Sequence, residues 1–177
     1  MMDTQSLLAL RQQKDDFFKN HPQSPLTPEQ QAHFTGLSYY EPNPALDLSV
    51  TVTRFPQQQT IQMQTSTGGV QDYIRYGEFT FTVDGQEVRL TLFLADYGFF
   101  LPFVDAGAGT ETYPAGRYLE PDHLGGEHFQ INLNDAYNPY CAYNDAWTCP
   151  IPPAENRLAV HIRAGEKLPQ DEWVNHG

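Results

Sequence analysis

The chain has 177 residues, a length that suits one domain with a sizeable core. Hydrophobic residues make up 40% of it and aromatic residues 13%, and the 13 glycines and 14 prolines favour a β-rich fold with many turns. Lysine and arginine total 10 against 22 acidic residues, so the net charge is −12. Such a field repels a phosphate backbone and an anionic membrane surface, so we expect neither nucleic acid nor a membrane as a partner.

The N-terminal residues 1–36 are predicted to form two helices. The first spans about residues 4–20, ends before Pro22, and places four apolar side chains in one arc: Leu7, Leu10, Phe17 and Phe18. Lys14 falls in the same arc, so it either lays its stem over that face or meets an acid from the body. A capping box at residues 27–30 predicts the second helix, and Gly36 is a natural stop for it.

From residue 37 the apolar pattern changes to a period of two, which predicts strands. Alternating segments lie at residues 46–52, 61–63, 79–83, 88–94, 129–133 and 158–162. Asp84-Gly85 predicts a hairpin turn between two of them. Residues 99–104 are apolar on both faces, which is typical of a central strand.

About eight antiparallel strands after two helices predict a mainly β fold, either an antiparallel sandwich or a small flattened barrel. No repeat or linker divides the chain, so we expect a single domain over residues 1–177, with the β body at 37–170 and a tail at 171–177. The N-terminus is too acidic for a signal peptide and no apolar run could span a membrane, so a cytoplasmic location is the default.

Residues 137–156 form the most informative segment of the chain. They hold both cysteines and many aromatic, asparagine and proline residues, without helical or strand periodicity. Long loops in compact domains are usually functional or disordered, and aromatic residues favour burial, so we expect an ordered loop that carries polar groups inward. Its polar residues either bind a ligand or brace the loop by capping the backbone: Asn138, Tyr143, Asn144, Glu155 and Asn156.

Cys141 and Cys149 allow three interpretations. A disulfide would staple the loop. A zinc site would need two more ligands, with His123 and His128 nearest in sequence, at a spacing that is not a known pattern. A catalytic thiolate would need a histidine or a helix N-terminus beside it. We predict no bound metal and no cofactor.

A second polar group lies in residues 105–117. Asp105 precedes a small-residue loop, and a period of two would place Glu111, Tyr113 and Arg117 on one face. Such a face could bind and polarise a polar ligand, with Glu111 as a general base. The alternative is a buried glutamate–arginine pair with the phenol as hydrogen-bond filler. His161 is predicted to face solvent or the rim of a pocket.

Four segments carry a resemblance to a known family: ETYPAGRYL at 111–119, AYNPYCAYN at 136–144, CPIPPAEN at 149–156 and IRAGEK at 162–167. With similar N-terminal segments at 11–18 and 24–40, the chain resembles an uncharacterised prokaryotic family, domain of unknown function 1684. Asn132 stands where that family is expected to have an aspartate. The resemblance implies a shared site and no particular chemistry.

A weaker likeness concerns residues 104–121, which loosely resemble the loop end of forkhead-associated phosphopeptide modules. That resemblance implies that Arg75 and Ser66 would read a phosphothreonine, and it favours a sandwich over a barrel.

Three functions follow from these observations. The first is binding of a small polar molecule, in a pocket roofed by residues 137–156 and floored by Glu111, Tyr113 and Arg117. The second is a hydrolase- or lyase-type enzyme that uses the same three residues, and the third is phosphopeptide binding. Arg75 and Asp105 are further ligand-binding candidates. For the first two, the loop and the Glu111–Arg117 face must meet in space.

Overall fold

The structure is a computed structural model that describes residues 2–169. Two helices begin it, α1 at Thr4–Asn20 and α2 at Pro28–His33. The Asp3 side chain caps α1, and Thr27 with Gln30 forms the predicted capping box of α2. The α2 helix ends before Gly36, because the backbone at Phe34 is already extended.

Eight strands follow within the described part of the chain. They are β1 (Asp47–Thr51), β2 (Thr53–Gln64), β3 (Val70–Val83), β4 (Gln86–Ala95), β5 (Gly98–Phe103), β6 (Arg117–Leu119), β7 (Asp122–Gly125) and β8 (His128–Asn132). They form a five-stranded antiparallel sheet in the order β2-β3-β4-β5-β6 and a three-stranded antiparallel sheet in the order β1-β8-β7. The mainly β prediction is confirmed, and the sheets do not close into a barrel.

The predicted hairpin about Asp84-Gly85 is confirmed. Val83 pairs with Gln86, and the two turn residues have φ angles of 49° and 78°, the left-handed values that a tight two-residue turn requires. The turn chemistry and the alternation of both strands agree, which is why this element could be read from the sequence.

The five-stranded sheet is buried on both faces at β5 and at the adjoining part of β4. β5 lies between β4 and β6, as its two apolar faces predicted. On one face, Leu101 joins the main core, to which the small sheet contributes Phe129 and Ile131. On the other face, Phe100 joins a second, aromatic core with Tyr73 and Tyr118.

A β-bulge in β3 lets that strand serve both cores. The register with β4 shifts between Arg75 and Gly77, so Tyr76 is an extra residue. N-terminal to the bulge Tyr73 faces the aromatic core, and C-terminal to it Phe79 faces the main core. Gly77 sits where β2 crosses closely: a Cβ there would lie 2.6 Å from the Thr53 carbonyl oxygen.

Residues 158–162 were predicted to be a strand, and this is wrong. Val160 and Ile162 are buried, which produces the alternation, but the segment has no ladder partner. Its main-chain hydrogen bonds go to a loop instead, with Leu158 N donating to Val104 O and Ala106 N to Val160 O.

The period of two predicted for Glu111, Tyr113 and Arg117 is wrong as well, because residues 105–116 are a run of tight turns and the β6 strand begins only at Arg117. None of the helices in residues 2–169 is long and apolar enough to cross a membrane. The predicted tail at 171–177 lies outside the described residues.

Candidate functional site

Cys141 and Cys149 form a disulfide, with their Cα atoms 6.4 Å apart. This selects the first of the three interpretations of the cysteines. The stapled loop is anchored to the residues after β2, because Ser66 N donates to Cys149 O at 2.9 Å and Cys149 N donates to Ser66 Oγ at 3.1 Å. Within residues 2–169, no group of three or more histidine, cysteine or carboxylate side chains is arranged to hold a metal ion.

A cavity of about 410 Å³, here called the loop pocket, lies against the stapled loop. Its walls are mostly aromatic: Tyr118, Tyr137, Tyr140 and Trp147, together with two prolines and the disulfide. Seven of its nine lining residues come from residues 137–156, the segment that the sequence singled out, and Lys14 of α1 completes the wall.

The polar ends of three aromatic wall residues are already used by the protein. The Tyr118 hydroxyl donates to Pro150 O, the Tyr137 hydroxyl to Glu120, and Trp147 Nε1 to Pro25 O at 3.2 Å. These rings are therefore fixed in place and offer their faces and edges to the cavity.

Aromatic side chains of the five-stranded sheet pack against Tyr118 and support this wall of the loop pocket. The Tyr118 ring meets Phe100 at 4.9 Å between centroids, and Phe100 in turn stacks on Tyr73 at 5.3 Å. The aromatic core of the five-stranded sheet thus continues into the pocket wall, which makes this wall part of the rigid scaffold.

Lys14 supplies the positive charge in the wall of the loop pocket. Its Nζ lies 2.6 Å from Glu166 Oε1 and 5.0 Å from the centre of the Tyr137 ring. Lys14 is 29% exposed, whereas Glu166 is 1% exposed. Of the two predictions for Lys14, the structure therefore shows that it meets an acid from the body. An ammonium carries three N–H donors, and Glu166 takes one of them.

Two predicted ligand-binding residues of the loop instead surround Glu166. The Tyr143 hydroxyl donates to Glu166 Oε2 at 3.0 Å, and Asn138 N donates to the same oxygen. Asn138 Nδ2 donates to Lys167 O at 3.0 Å. Asn144 Oδ1 accepts from Ala146 N at 3.0 Å, within its own turn. None of the three loop residues lines the pocket, and all support the loop that does.

Arg75 and Glu155, both predicted to bind a ligand, bind each other. Arg75 Nε lies 3.0 Å from Glu155 Oε1 and Nη2 lies 2.9 Å from Oε2, so the contact is bidentate, and the guanidinium also lies over the Phe55 ring at 3.9 Å.

Asn156, the last of the predicted loop residues, is fully buried and joins β4 to β5. Its Oδ1 accepts from Thr91 N at 2.8 Å, while its Nδ2 donates to Thr91 O at 2.9 Å and to Pro102 O at 2.8 Å.

Replacing Asn156 with alanine is expected to lower the free energy of unfolding by about 2–3 kcal/mol, because it leaves buried backbone groups of Thr91 and Pro102 without partners. Urea denaturation of both proteins measures this difference. Asn144→Ala is the control, since that residue caps an exposed turn, and it should cost less than about 1 kcal/mol. Equal losses for the two variants would contradict the bracing role of Asn156.

Glu111, Tyr113 and Arg117 do not form the predicted face, because the segment that carries them is turned rather than extended. Arg117 is 1% exposed, and its guanidinium donates to the carbonyls of Ala164, Glu166 and Ile162, the last at 2.8 Å. Tyr113 packs instead in the hydrophobic cluster around α1 and α2.

The predicted pairing of Glu111 with Arg117 is also wrong, since each has another partner. Arg117 Nη2 lies 3.7 Å from Asp105 Oδ2, and both side chains are buried. Glu111 accepts from the Tyr40 hydroxyl at 2.9 Å and from Arg163 Nε at 3.3 Å. The hydrogen bond from Arg163, followed by that from Tyr40, lowers the pKa of the Glu111 carboxyl group.

Comparison with known proteins places the chain in a family. A family model described as a protein of unknown function, DUF1684, matches residues 32–167. The chain is also similar to an uncharacterised protein of Haloarcula marismortui solved by solution NMR, with 37% identity, 92% of each chain covered and a TM-score of 0.68. No curated protein matches. The family predicted from the four motifs is thereby confirmed: the chain belongs to DUF1684, a family of unknown function.

Proposed function

We propose that this protein binds a small polar molecule that has a planar ring, and that it does so in the loop pocket. The observation that carries the proposal is the position of Lys14, an ammonium group in the wall of an otherwise aromatic cavity. The volume of about 410 Å³ falls in the range of small-molecule sites, which are mostly apolar with a few placed polar groups.

The aromatic walls favour a planar ligand. The Tyr140 and Trp147 rings meet edge to face at 5.1 Å, and Tyr118 and Tyr137 do so at 6.0 Å. Because the hydroxyls of Tyr118 and Tyr137 and the indole N–H are bound elsewhere, these residues recognise shape and ring stacking rather than hydrogen-bonding groups.

Lys14 favours an acceptor group on that ligand, and a carboxylate best of all. The network around Glu166 holds the ammonium in place without using all its donors. The net charge of −12 does not oppose this, since exposed charges more than about 8 Å away are largely screened at physiological ionic strength, and the nearby cation dominates.

The two other functions receive less support from the geometry. An enzyme that uses Glu111, Tyr113 and Arg117 would need all three side chains at one cavity. Instead, the Arg117 guanidinium donates its hydrogen bonds to main-chain carbonyls, and Tyr113 packs against the helices. A phosphopeptide reader would need Arg75, whose guanidinium is engaged by Glu155. We therefore prefer binding to catalysis.

The test is an NMR titration with 1-naphthoate, 1-naphthamide and 1-naphthylmethylamine, which follows the backbone amide signals of residues 140–149 in wild type and in every variant. We expect saturable binding of the carboxylate and weaker binding of the amine. Lys14→Met, which keeps the apolar stem, should weaken carboxylate binding about tenfold or more and amide binding much less. Lys19→Met on the same helix is the control, because Lys19 does not line the loop pocket and donates to the carbonyls of Gln31 and Phe34.

Because Lys14→Met also removes a partner of buried Glu166, a second variant tests the wall alone. Trp147→Leu leaves the Glu166 network intact and should weaken binding of all three probes about tenfold. The proposal fails if wild-type protein shows no saturable binding of any probe at millimolar concentration, or if Trp147→Leu binds them as tightly as wild type.

A further inference from the structure

A second cavity, of about 240 Å³, lies at the tip of the β3–β4 hairpin and shares no lining residue with the loop pocket. Three separate stretches of chain build it. Asn43 and Leu46 come from the turn before β1, Thr82 and Asp84 come from the hairpin tip, and His161 and Arg163 come from the irregular segment near the C-terminus. We call it the hairpin cavity.

One part of the hairpin cavity lining is basic, and a carboxylate outside the cavity holds its two side chains, Arg163 and His161, in position. Glu111 does not line the cavity, but its carboxylate lies 3.3 Å from Arg163 Nε and 3.5 Å from His161 Nδ1. Tyr40 donates to the same carboxylate at 2.9 Å. Glu111 and Tyr40 thereby hold Arg163 and His161 in position. Within residues 2–169, Arg163 Nη1 and His161 Nε2 make no hydrogen bond, so these two nitrogens can meet a ligand.

His161 is also positioned by a small residue. A Cβ at Gly107 would lie 3.1 Å from His161 Nδ1, so the ring packs closely over the Gly107 backbone. Nδ1 is buried and makes no hydrogen bond within residues 2–169, and Glu111 is the charge nearest to it. The imidazole is therefore oriented by packing and by charge, which is the arrangement of a residue that presents its other nitrogen.

A second part of the lining is acidic and polar. Asp84 lies in the hairpin turn with a φ of 49°. The hydrogen bonds to Glu111 raise the pKa of the Arg163 guanidinium most, and the nearby Asp84 carboxylate raises it by a smaller amount. Asn43 Oδ1 accepts from Ala45 N at 3.1 Å, which leaves the amide nitrogen of Asn43 as a donor. Leu46, which is otherwise part of the core, adds an apolar residue to the lining.

We propose that the hairpin cavity binds a small zwitterion of the free amino acid class. Its carboxylate would meet Arg163 and His161, and its ammonium group would meet Asp84 and the Thr82 hydroxyl. A simple anion of the same size would face the Asp84 charge, and a simple amine would face Arg163, so only a ligand with both charges satisfies both walls. This site is independent of the one proposed for ring compounds.

The test is an NMR titration with L-alanine, propionate and ethylamine, which follows the amide signals of residues 82–85 and 161–163. We expect saturable shifts with L-alanine and at least about tenfold weaker binding of the two single-charge analogues. Arg163→Gln and Asp84→Asn should each weaken L-alanine binding by about tenfold or more, and both change exposed side chains, so the fold should persist.

Arg89→Gln and Asp72→Asn are the matched controls, since both are exposed charges on β4 and β3 that do not line the cavity. They should bind L-alanine as wild type does. The proposal is overturned if L-alanine gives no saturable shift, if propionate binds equally well, or if Arg163→Gln leaves the affinity unchanged. Shifts at Trp147 alone would place the ligand in the loop pocket and would also overturn it.

Discussion

Replacing Arg117 with alanine is expected to lower the free energy of unfolding by about 3–5 kcal/mol. The guanidinium is buried and donates to three main-chain carbonyls, including Ile162 O at 2.8 Å and Glu166 O at 3.0 Å. Its removal also leaves the buried Asp105 carboxylate without an ionic partner among residues 2–169, while the hydrogen bonds from Thr112 and the Ile162 N–H, each at 2.8 Å, remain. A buried charge that loses its ionic partner is one of the most costly changes in a protein.

Urea denaturation followed by circular dichroism measures this loss. The control is Arg89→Ala, because Arg89 is 65% exposed and lies 3.8 Å from Glu78, so its removal should cost less than about 1 kcal/mol. Arg117→Lys should retain part of the stability, since a lysine keeps the charge but cannot reproduce the planar fork. If Arg117→Ala and Arg89→Ala are equally stable, the C-terminal segment is not held by Arg117.

Replacing Gly77 with alanine is expected to cost about 3 kcal/mol, which is large for the addition of one methyl group. The new Cβ would lie 2.6 Å from the Thr53 carbonyl oxygen and 2.8 Å from Val52 Cγ1. The nearer atom belongs to the backbone of β2, which cannot move without breaking its pairing with β3.

Gly69→Ala is the matched control, because the nearest atom to its Cβ would be Thr65 Oγ1, at an ordinary 3.5 Å. Thermal melts of the two variants and wild type should show a lower midpoint only for Gly77→Ala. If the melting curves of Gly77→Ala and Gly69→Ala coincide, the backbone of β2 at Thr53 does not pass close to Gly77 of β3.

Elements with local signals could be predicted from the sequence, and elements that depend on distant partners could not. The capping box and the proline predicted the helices, and Asp84-Gly85 predicted the hairpin, because each of these signals acts within a few residues. At residues 158–162 the alternation reflects burial against the core, and no sequence pattern shows that a loop rather than a strand lies alongside.

The candidate site divides in the same way. The unpatterned loop was identified from its composition, and it supplies most of the loop pocket. The partner of each charge was not identified, since Glu111 meets Arg163 across 52 positions and carboxylates in a sequence carry no mark of their partner. Lys14 did carry a signal, a lysine in an apolar helical arc, whereas its partner Glu166 carried none.

The bulge at Tyr76 makes the length of β3 as important as its composition. Six positions separate Tyr73 from Phe79, so a regular strand of this length would place both side chains on one face, and the extra residue is what lets them face different cores. One more residue inserted between Tyr73 and Phe79 would disturb this arrangement, because each added position reverses the faces of the side chains beyond it. Across the family, we therefore expect no insertion between Tyr73 and Phe79.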